Sequence, residues 1–185
     1  MKRIIIAVLF FTLLTGCKNA DSIEPGIALR EQLLQANECR FTIVITADYT
    51  DYAYTFTLDC ISDKNGNITF CVIEPESIKD VTGRIDSEGG RLVFDDQILA
   101  FPLIADDQLT PVSVPWLLIR TLRGGYIGAG GKDGDNYKLQ MDDSFEEDPL
   151  TLDIWLDDKY QPIHCDFLWR NRRILTAEIK NFSIL

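Results

Sequence analysis

Residues 41–59 read FTIVITADYTDYAYTFTLD, and this stretch decides the fold class. Apolar and polar side chains alternate on both sides of a polar turn near Tyr49-Thr50, which is the two-residue period of strands with one buried face. Two such strands joined by a short turn form a β-hairpin. The stretch therefore predicts consecutive antiparallel strands, whose buried face includes Phe41, Phe56 and Leu58.

The same period continues toward the C-terminus. Asp63-Lys64-Asn65-Gly66 has the residues of a tight turn, and Arg170-Asn171 is predicted to be the last turn. We expect the glycine-rich segment 124–134 to be a loop. Together these patterns predict about nine to eleven short antiparallel strands, including segments near 68–72, 81–86, 91–94, 97–101, 137–141, 150–157, 162–169 and 175–179.

Two segments have helical spacing instead. Apolar residues recur at helical intervals from Pro25 to about Ala36, and a second run follows Ser113, a plausible N-cap, and ends at Gly124-Gly125. A long sheet must curl, and its dry face must be covered. The predicted fold is therefore mainly β (α+β): a strongly curved antiparallel meander, or half-barrel, covered by an N-terminal helix and a mid-chain helix.

The N-terminus predicts export. Met1-Lys2-Arg3 precedes an apolar run of residues 4–14, which is too short for a permanent membrane span of roughly 20 residues. The ending Leu14-Thr15-Gly16-Cys17 resembles the lipobox of bacterial lipoproteins. That resemblance implies a signal peptide of residues 1–16, a lipid on Cys17 and anchoring to the extracytoplasmic face of the cell membrane. An ordinary signal peptide with a chance cysteine is the alternative.

The domain organisation and charge narrow the function further. Residues 17–24 would form the lipidated tether, and residues 25–185 a single domain. Removal of residues 1–16 takes away Lys2 and Arg3 and no acid, so the net charge of −11 becomes −13. A chain this acidic lacks the basic surface with which nucleic-acid-binding proteins contact phosphates.

The overall layout resembles a known superfamily. A lipobox, an N-terminal helix and a long meander with a mid-chain helix are similar to the lipoprotein carriers LolA and LolB. Segments 113–116, 122–126 and 172–175 also look like uncharacterised lipoproteins of anaerobic Gram-positive bacteria. The carrier resemblance implies an apolar cavity for acyl chains. The residues we expect on its wall are Phe41, Phe56, Leu58, Trp116, Ile119 and Ile154. The same side chains would equally suit a filled core.

The cysteines suggest one disulfide. Besides Cys17, the chain has Cys39, Cys60, Cys71 and Cys165. If Tyr49-Thr50 forms a two-residue loop, Cys39 lies directly opposite Cys60, where the Cβ atoms of a pair are about 4.5–5.5 Å apart. We therefore predict a Cys39–Cys60 disulfide, with the other two thiols free. The alternative is four reduced core cysteines.

No catalytic constellation stands out. The single histidine, His164, adjoins Cys165 on a strand, and neighbours on a strand point to opposite faces. Neither the acidic run 142–148 nor the segment 133–136 has the ligand spacing of a calcium loop. We therefore expect no catalytic residue, no metal site and no cofactor.

One basic spot remains. Arg170, Arg172 and Arg173 lie beside Trp169 and would touch lipid phosphates or an acidic partner, unless they only solubilise the turn. Two functions follow. The first is a non-enzymatic lipoprotein that binds or carries a lipid or other hydrophobic ligand. The alternative is an interaction or scaffold lipoprotein with a filled core, which contacts an envelope or sporulation protein through its surface.

Overall fold

A computed structural model describes residues 23–49, 52–94, 97–101, 104–105 and 108–185. The predicted signal peptide, the lipid attachment site Cys17 and nearly all of the tether lie outside the described residues. Neither helix in the described part of the chain has the length and hydropathy needed to cross a membrane.

The two predicted helices are present. Helix α1 spans Glu24–Gln35 and helix α2 spans Val114–Gly124. Ser113 precedes α2, but its side chain makes no cap hydrogen bond. Its hydroxyl donates to the Thr110 carbonyl at 2.6 Å, because a 3₁₀ turn leads straight into the helix and already places Ser113 in a helical conformation.

The predicted curved meander is also present, as an open eleven-stranded antiparallel sheet within the described residues. Its order is β6-β5-β4-β3-β2-β1-β13-β12-β11-β10-β9, so pairing of β1 with β13 joins the two halves of the chain. A separate ladder pairs β7 with β8. The strands are β1 Glu38–Tyr49, β2 Tyr52–Asp63, β3 Ile68–Glu74, β4 Thr82–Asp86, β5 Gly89–Phe94, β6 Gln97–Phe101, β7 Ile104–Ala105, β8 Gln108–Leu109, β9 Tyr126–Asp133, β10 Asn136–Asp142, β11 Leu150–Leu156, β12 Pro162–Trp169 and β13 Arg172–Ile184.

The register of the first hairpin differs from the prediction. Tyr49 pairs with Tyr52, so Phe41 lies opposite Cys60 rather than Leu58. The partner of every residue is displaced by two positions, which leaves each side chain on the same face of the sheet. Because hydrophobic alternation has a period of two, it cannot detect such a shift.

The glycine-rich segment is a strand rather than the predicted loop. Strand β9 pairs with β10 and forms one edge of the sheet. Its glycines carry no side chains, so the alternation that marks a strand is invisible in the sequence. Gly26 of α1 lies against Ile127 of β9 and Leu139 of β10, which shows how closely the helix packs on this end of the sheet.

Two predicted turns have the expected chemistry. The Asp63 carboxylate accepts hydrogen bonds from the backbone N–H groups of Asn65 and Asn67 at 2.8 and 3.0 Å. Burial acts to raise the pKa of Asp63, but the hydrogen bonds from Asn67 and Asn65 outweigh it and leave that pKa below its ordinary value. At the last turn, Arg170 and Asn171 both have positive φ, as a tight two-residue hairpin turn requires.

Candidate functional site

The inner face of the sheet, which α1 and α2 cover, is the candidate site. Of the six predicted wall residues, Phe41, Leu58, Ile119 and Ile154 are at most 3% exposed and belong to one core cluster. Trp116 is half-buried and packs against that cluster. Phe56 is also half-buried and lies opposite the buried Ile45. The structure thus separates four side chains that fill the interior from two that retain accessible surface.

On the inner face, two glycines near the β6 end of the sheet leave room for aromatic rings to pack directly on the backbone. A Cβ on Gly83 would lie 2.3 Å from Cζ of Phe70, and a Cβ on Gly90 would lie 2.0 Å from Cζ of Phe101. Both aromatic rings therefore lie directly over glycine backbone. Sequence reasoning missed Phe101. The signal that could have found it was the pair Gly83 and Gly90, although Gly90 was predicted to lie in the turn before β5 and not in a strand.

At β5 and β6, near Gly90 and Phe101, the core ends in apolar side chains that are only partly buried. Leu92 and Leu99 form a cross-strand pair, and Leu99 is 64% exposed. We call these residues, together with the half-buried apolar side chains of β6, β8 and the entry into α2 that pack against the core, the apolar margin. It consists of Leu92, Leu99, Phe101, Leu109, Val112 and Trp116. The margin is apolar surface on β5, β6, β8 and the entry into α2 that the protein leaves incompletely buried.

Two arginines hold the helices to each other. Arg30 of α1 donates to the carbonyls of Leu122 and Gly125, at 3.0 and 2.5 Å. Arg123 of α2 donates to the carbonyl of Leu33 in the last turn of α1, at 2.6 Å. Carbonyls at helix C-termini lack intrahelical partners, so each helix supplies a cap for the other. Burial lowers the pKa of Arg30 from its ordinary value.

The cysteines do not have the geometry that the disulfide prediction assumed. Cys39 lies opposite Ser62, and Cys60 lies opposite Phe41, so the two cysteines are diagonal neighbours on the inner face. The structure contains Cys39, Cys60, Cys71 and Cys165 as free thiols. Burial raises the pKa of Cys39 to about 12 and raises the pKa values of Cys60 and Cys165 well above the ordinary thiol range.

We expect native residues 18–185 to react with a thiol reagent at pH 8 at one cysteine, Cys71, which is half-buried on the outward face. The other three are buried and protonated, and the thiolate is the reactive form. After denaturation without reductant all four should react. Peptide mass spectrometry would assign the labelled sites. Two unreactive cysteines in the denatured chain would instead establish a disulfide.

His164 lies on the outward face, away from the buried Cys165, as the strand geometry predicts. Its Nε2 lies 3.0 Å from the Asp166 carboxylate, and its ring packs edge-on against Trp155. The indole N–H of Trp155 donates to Asp133 at 2.7 Å. Among the described residues there is no cluster of three or more side chains that could hold a metal ion.

The predicted basic patch is partly paired. Arg170 forms an ion pair with Asp148 at 2.8 Å and lies over the Trp169 ring, while Arg173 lies 3.4 Å from the Asp166 carboxylate. Arg172 is exposed. Two of the three guanidinium groups therefore already have an acidic neighbour.

A groove of about 360 Å³ lies on the outward face of the sheet, near the irregular pairing of β1 with β13. Its lining is mixed, since the Thr42 hydroxyl donates to the Asp59 carboxylate at 2.7 Å and Ile61 is partly exposed. Of the six predicted wall residues, only Phe41 is among those that line it.

The chain was compared with known proteins. No protein-family model matches it, and no curated protein matches it. An uncharacterised conserved protein from Thermus thermophilus is similar in structure, with 7% identity, coverage of 89% of this chain and 88% of that chain, and a TM-score of 0.50. At this identity the likeness shows the fold alone.

Two further solved structures are similar at lower scores. A LolA superfamily protein from Nitrosomonas europaea has 8% identity, coverage of 86% and 93%, and a TM-score of 0.46. A chain in the complex of the CwlD amidase from Clostridioides difficile with the GerS lipoprotein has 12% identity, coverage of 91% and 99%, and a TM-score of 0.43. The curved sheet and the two helices have the layout that the sequence predicted. The likeness to Gram-positive lipoproteins stays a prediction.

Proposed function

We propose that this chain is a lipoprotein that is anchored through lipidated Cys17 to the extracytoplasmic face of the cell membrane. It binds or carries a lipid or another hydrophobic ligand on the inner face of the half-barrel, without catalysis. The observation that carries the proposal is the apolar margin, where the core ends in side chains that a ligand can still cover.

The margin suits an acyl chain. Each buried methylene contributes about 0.8 kcal/mol, so a chain of several methylenes gains useful affinity without polar contacts. Leu99 is mostly exposed and Phe101, whose ring lies over Gly90, is half-buried, so both offer apolar surface to a ligand. The exposed Leu99 and the half-buried Trp116 leave apolar surface in contact with water, and a bound ligand removes that surface from water.

Some of the predicted wall residues are too deeply buried to contact a ligand. Leu58, Ile119 and Ile154 are completely buried by other protein atoms. Phe56 and Trp116 keep accessible surface. We therefore place the ligand at the margin, against Trp116 and Leu99, rather than along the whole inner face.

The test is native mass spectrometry of residues 18–185 with organic extraction of what co-purifies. We expect a bound lipid in the parent protein and at least tenfold less in Trp116→Ala and in Leu99→Asp, because each change removes apolar contact area. Trp169→Ala is the matched control, since Trp169 lies at the end of β12, outside the margin. Near-ultraviolet circular dichroism confirms that each variant is folded. Equal lipid in Trp116→Ala, Leu99→Asp and Trp169→Ala would contradict the proposal.

A clean unliganded mass, unchanged after incubation with phospholipids, would favour the second candidate, an interaction or scaffold lipoprotein. One observation supports that candidate. Strand β6 is an edge of the main sheet in the described residues, and its sequence, Gln-Ile-Leu-Ala-Phe, contains no charge. Exposed edges are usually protected by charges or prolines, and unprotected ones pair with strands of other proteins.

A further inference from the structure

Helix α1 carries apolar side chains on two different sides. Gly26, Leu29 and Leu33 are buried against the rest of the domain. Another set faces outward: Ile23 at the N-cap is 38% exposed, Ile27 is 42% exposed and Leu34 is 53% exposed. At about 100° per residue these three lie within roughly 40° of one another around the helix axis, and about 100° from the buried side. We call Ile23, Ile27 and Leu34 the outer stripe.

The outer stripe belongs to a helix layer that carries no excess of negative charge. Helices α1 and α2 together contain three arginines and two glutamates, a net charge of +1, so the rest of the mature chain of net −13 carries −14. Arg30 lies roughly 40° from the centre of the outer stripe toward the buried side, where its guanidinium caps α2, and the exposed Glu31 lies roughly 60° away on the other side. Arg120 is exposed on α2. The helix layer therefore lacks the strong negative charge of the remaining chain, which an anionic bilayer repels.

The position of α1 along the chain brings it to the membrane. Ile23 follows Cys17 by six residues. Six residues span at most about 20 Å, even when fully extended. A lipid on Cys17 therefore holds the first residue of the outer stripe within about 20 Å of the bilayer surface.

We propose that the outer stripe is the surface by which the domain lies on the bilayer. The stripe enters the boundary between headgroups and acyl chains, as the apolar side of an interfacial helix does. The outward face of the sheet is then directed away from the membrane. This inference rests on the lipid anchor in the proposed function.

The test uses the lipidated protein, produced with its signal peptide and reconstituted in vesicles of phosphatidylethanolamine and phosphatidylglycerol. Leu34→Trp places a fluorophore in the outer stripe. Ile61→Trp is the matched control, because Ile61 is 39% exposed on the outward face of β2. We expect phospholipids brominated on their acyl chains to reduce the added fluorescence of Leu34→Trp at least twofold and to leave that of Ile61→Trp unchanged.

The failures are distinguishable. Mass spectrometry of the N-terminal peptide reports the lipid on Cys17. If that lipid is absent, both the anchor and the inference are overturned. If it is present and Leu34→Trp is quenched no more than Ile61→Trp, only the inference is overturned. Ile27→Glu in the Leu34→Trp background should restore fluorescence without removing the lipid, because a carboxylate does not enter the bilayer readily. Unchanged quenching in that variant also counts against the inference.

Discussion

We expect Gly83→Val to lower the free energy of unfolding by about 3 kcal/mol, the upper end of what overpacking costs in a well-packed core. The Cβ would lie 2.3 Å from Cζ of Phe70 and 3.0 Å from the carbonyl oxygen of Arg91. Phe70 is only 2% exposed, so its ring cannot move aside without displacing other core side chains. The Arg91 oxygen belongs to the backbone of the neighbouring strand β5 and yields even less.

Gly128→Val is the matched control for that change. Gly128 is also a strand residue, and the nearest atom to a Cβ there is 3.7 Å away, an ordinary van der Waals contact. We expect its effect to lie within about 0.5 kcal/mol of zero, as for most surface substitutions. Equilibrium unfolding in guanidinium chloride measures both. Equal midpoints for the two variants would show that Phe70 is not constrained over Gly83.

Replacement of Arg123 by methionine should lower the free energy of unfolding by about 2–3 kcal/mol, because a hydrogen bond to a charged group is worth roughly 1.5–3 kcal/mol. The guanidinium donates to the Leu33 carbonyl at 2.6 Å and to the Lys64 carbonyl, in the turn between β2 and β3, at 2.7 Å. Methionine keeps much of the apolar side chain and loses every donor. The last turn of α1 and the turn after β2 then lose a shared partner.

Arg120→Met is the control on the same helix. Arg120 lies 3.7 Å from the Asp143 carboxylate with its side chain 47% exposed, and its guanidinium lies over the Trp116 ring. Exposed ion pairs contribute about 0–1 kcal/mol, so we expect a loss below about 1 kcal/mol. Arg123→Lys should fall between the two methionine variants, since an ammonium group cannot reproduce the planar fork of a guanidinium. Equal losses for Arg120→Met and Arg123→Met would contradict the role assigned to Arg123.

The candidate site was only partly predictable. Alternation correctly assigned Phe41, Phe56 and Leu58 to the inner face, because the face of a strand residue depends only on whether its position is odd or even. It could not tell that Leu58 is sealed in the core while Phe56 retains surface. That distinction depends on which residues from distant parts of the chain pack over each side chain, which is not a local property.

The sequence by itself determined the class of the fold: the two-residue period specified the strands, the helical spacing specified α1 and α2, and Asp63 and Arg170-Asn171 specified their turns. Only the tertiary structure decided the rest. The hairpin register lies two residues from the predicted one, and alternation does not distinguish the two registers because both keep every side chain on the same face. Strand β9 forms from a glycine-rich segment because β10 supplies its backbone pairing. Arg30 and Arg123 cap helices some 90 residues away, contacts that no local pattern encodes. Local sequence patterns indicate which side of a helix or strand is apolar, whereas long-range packing determines which residues that side contacts.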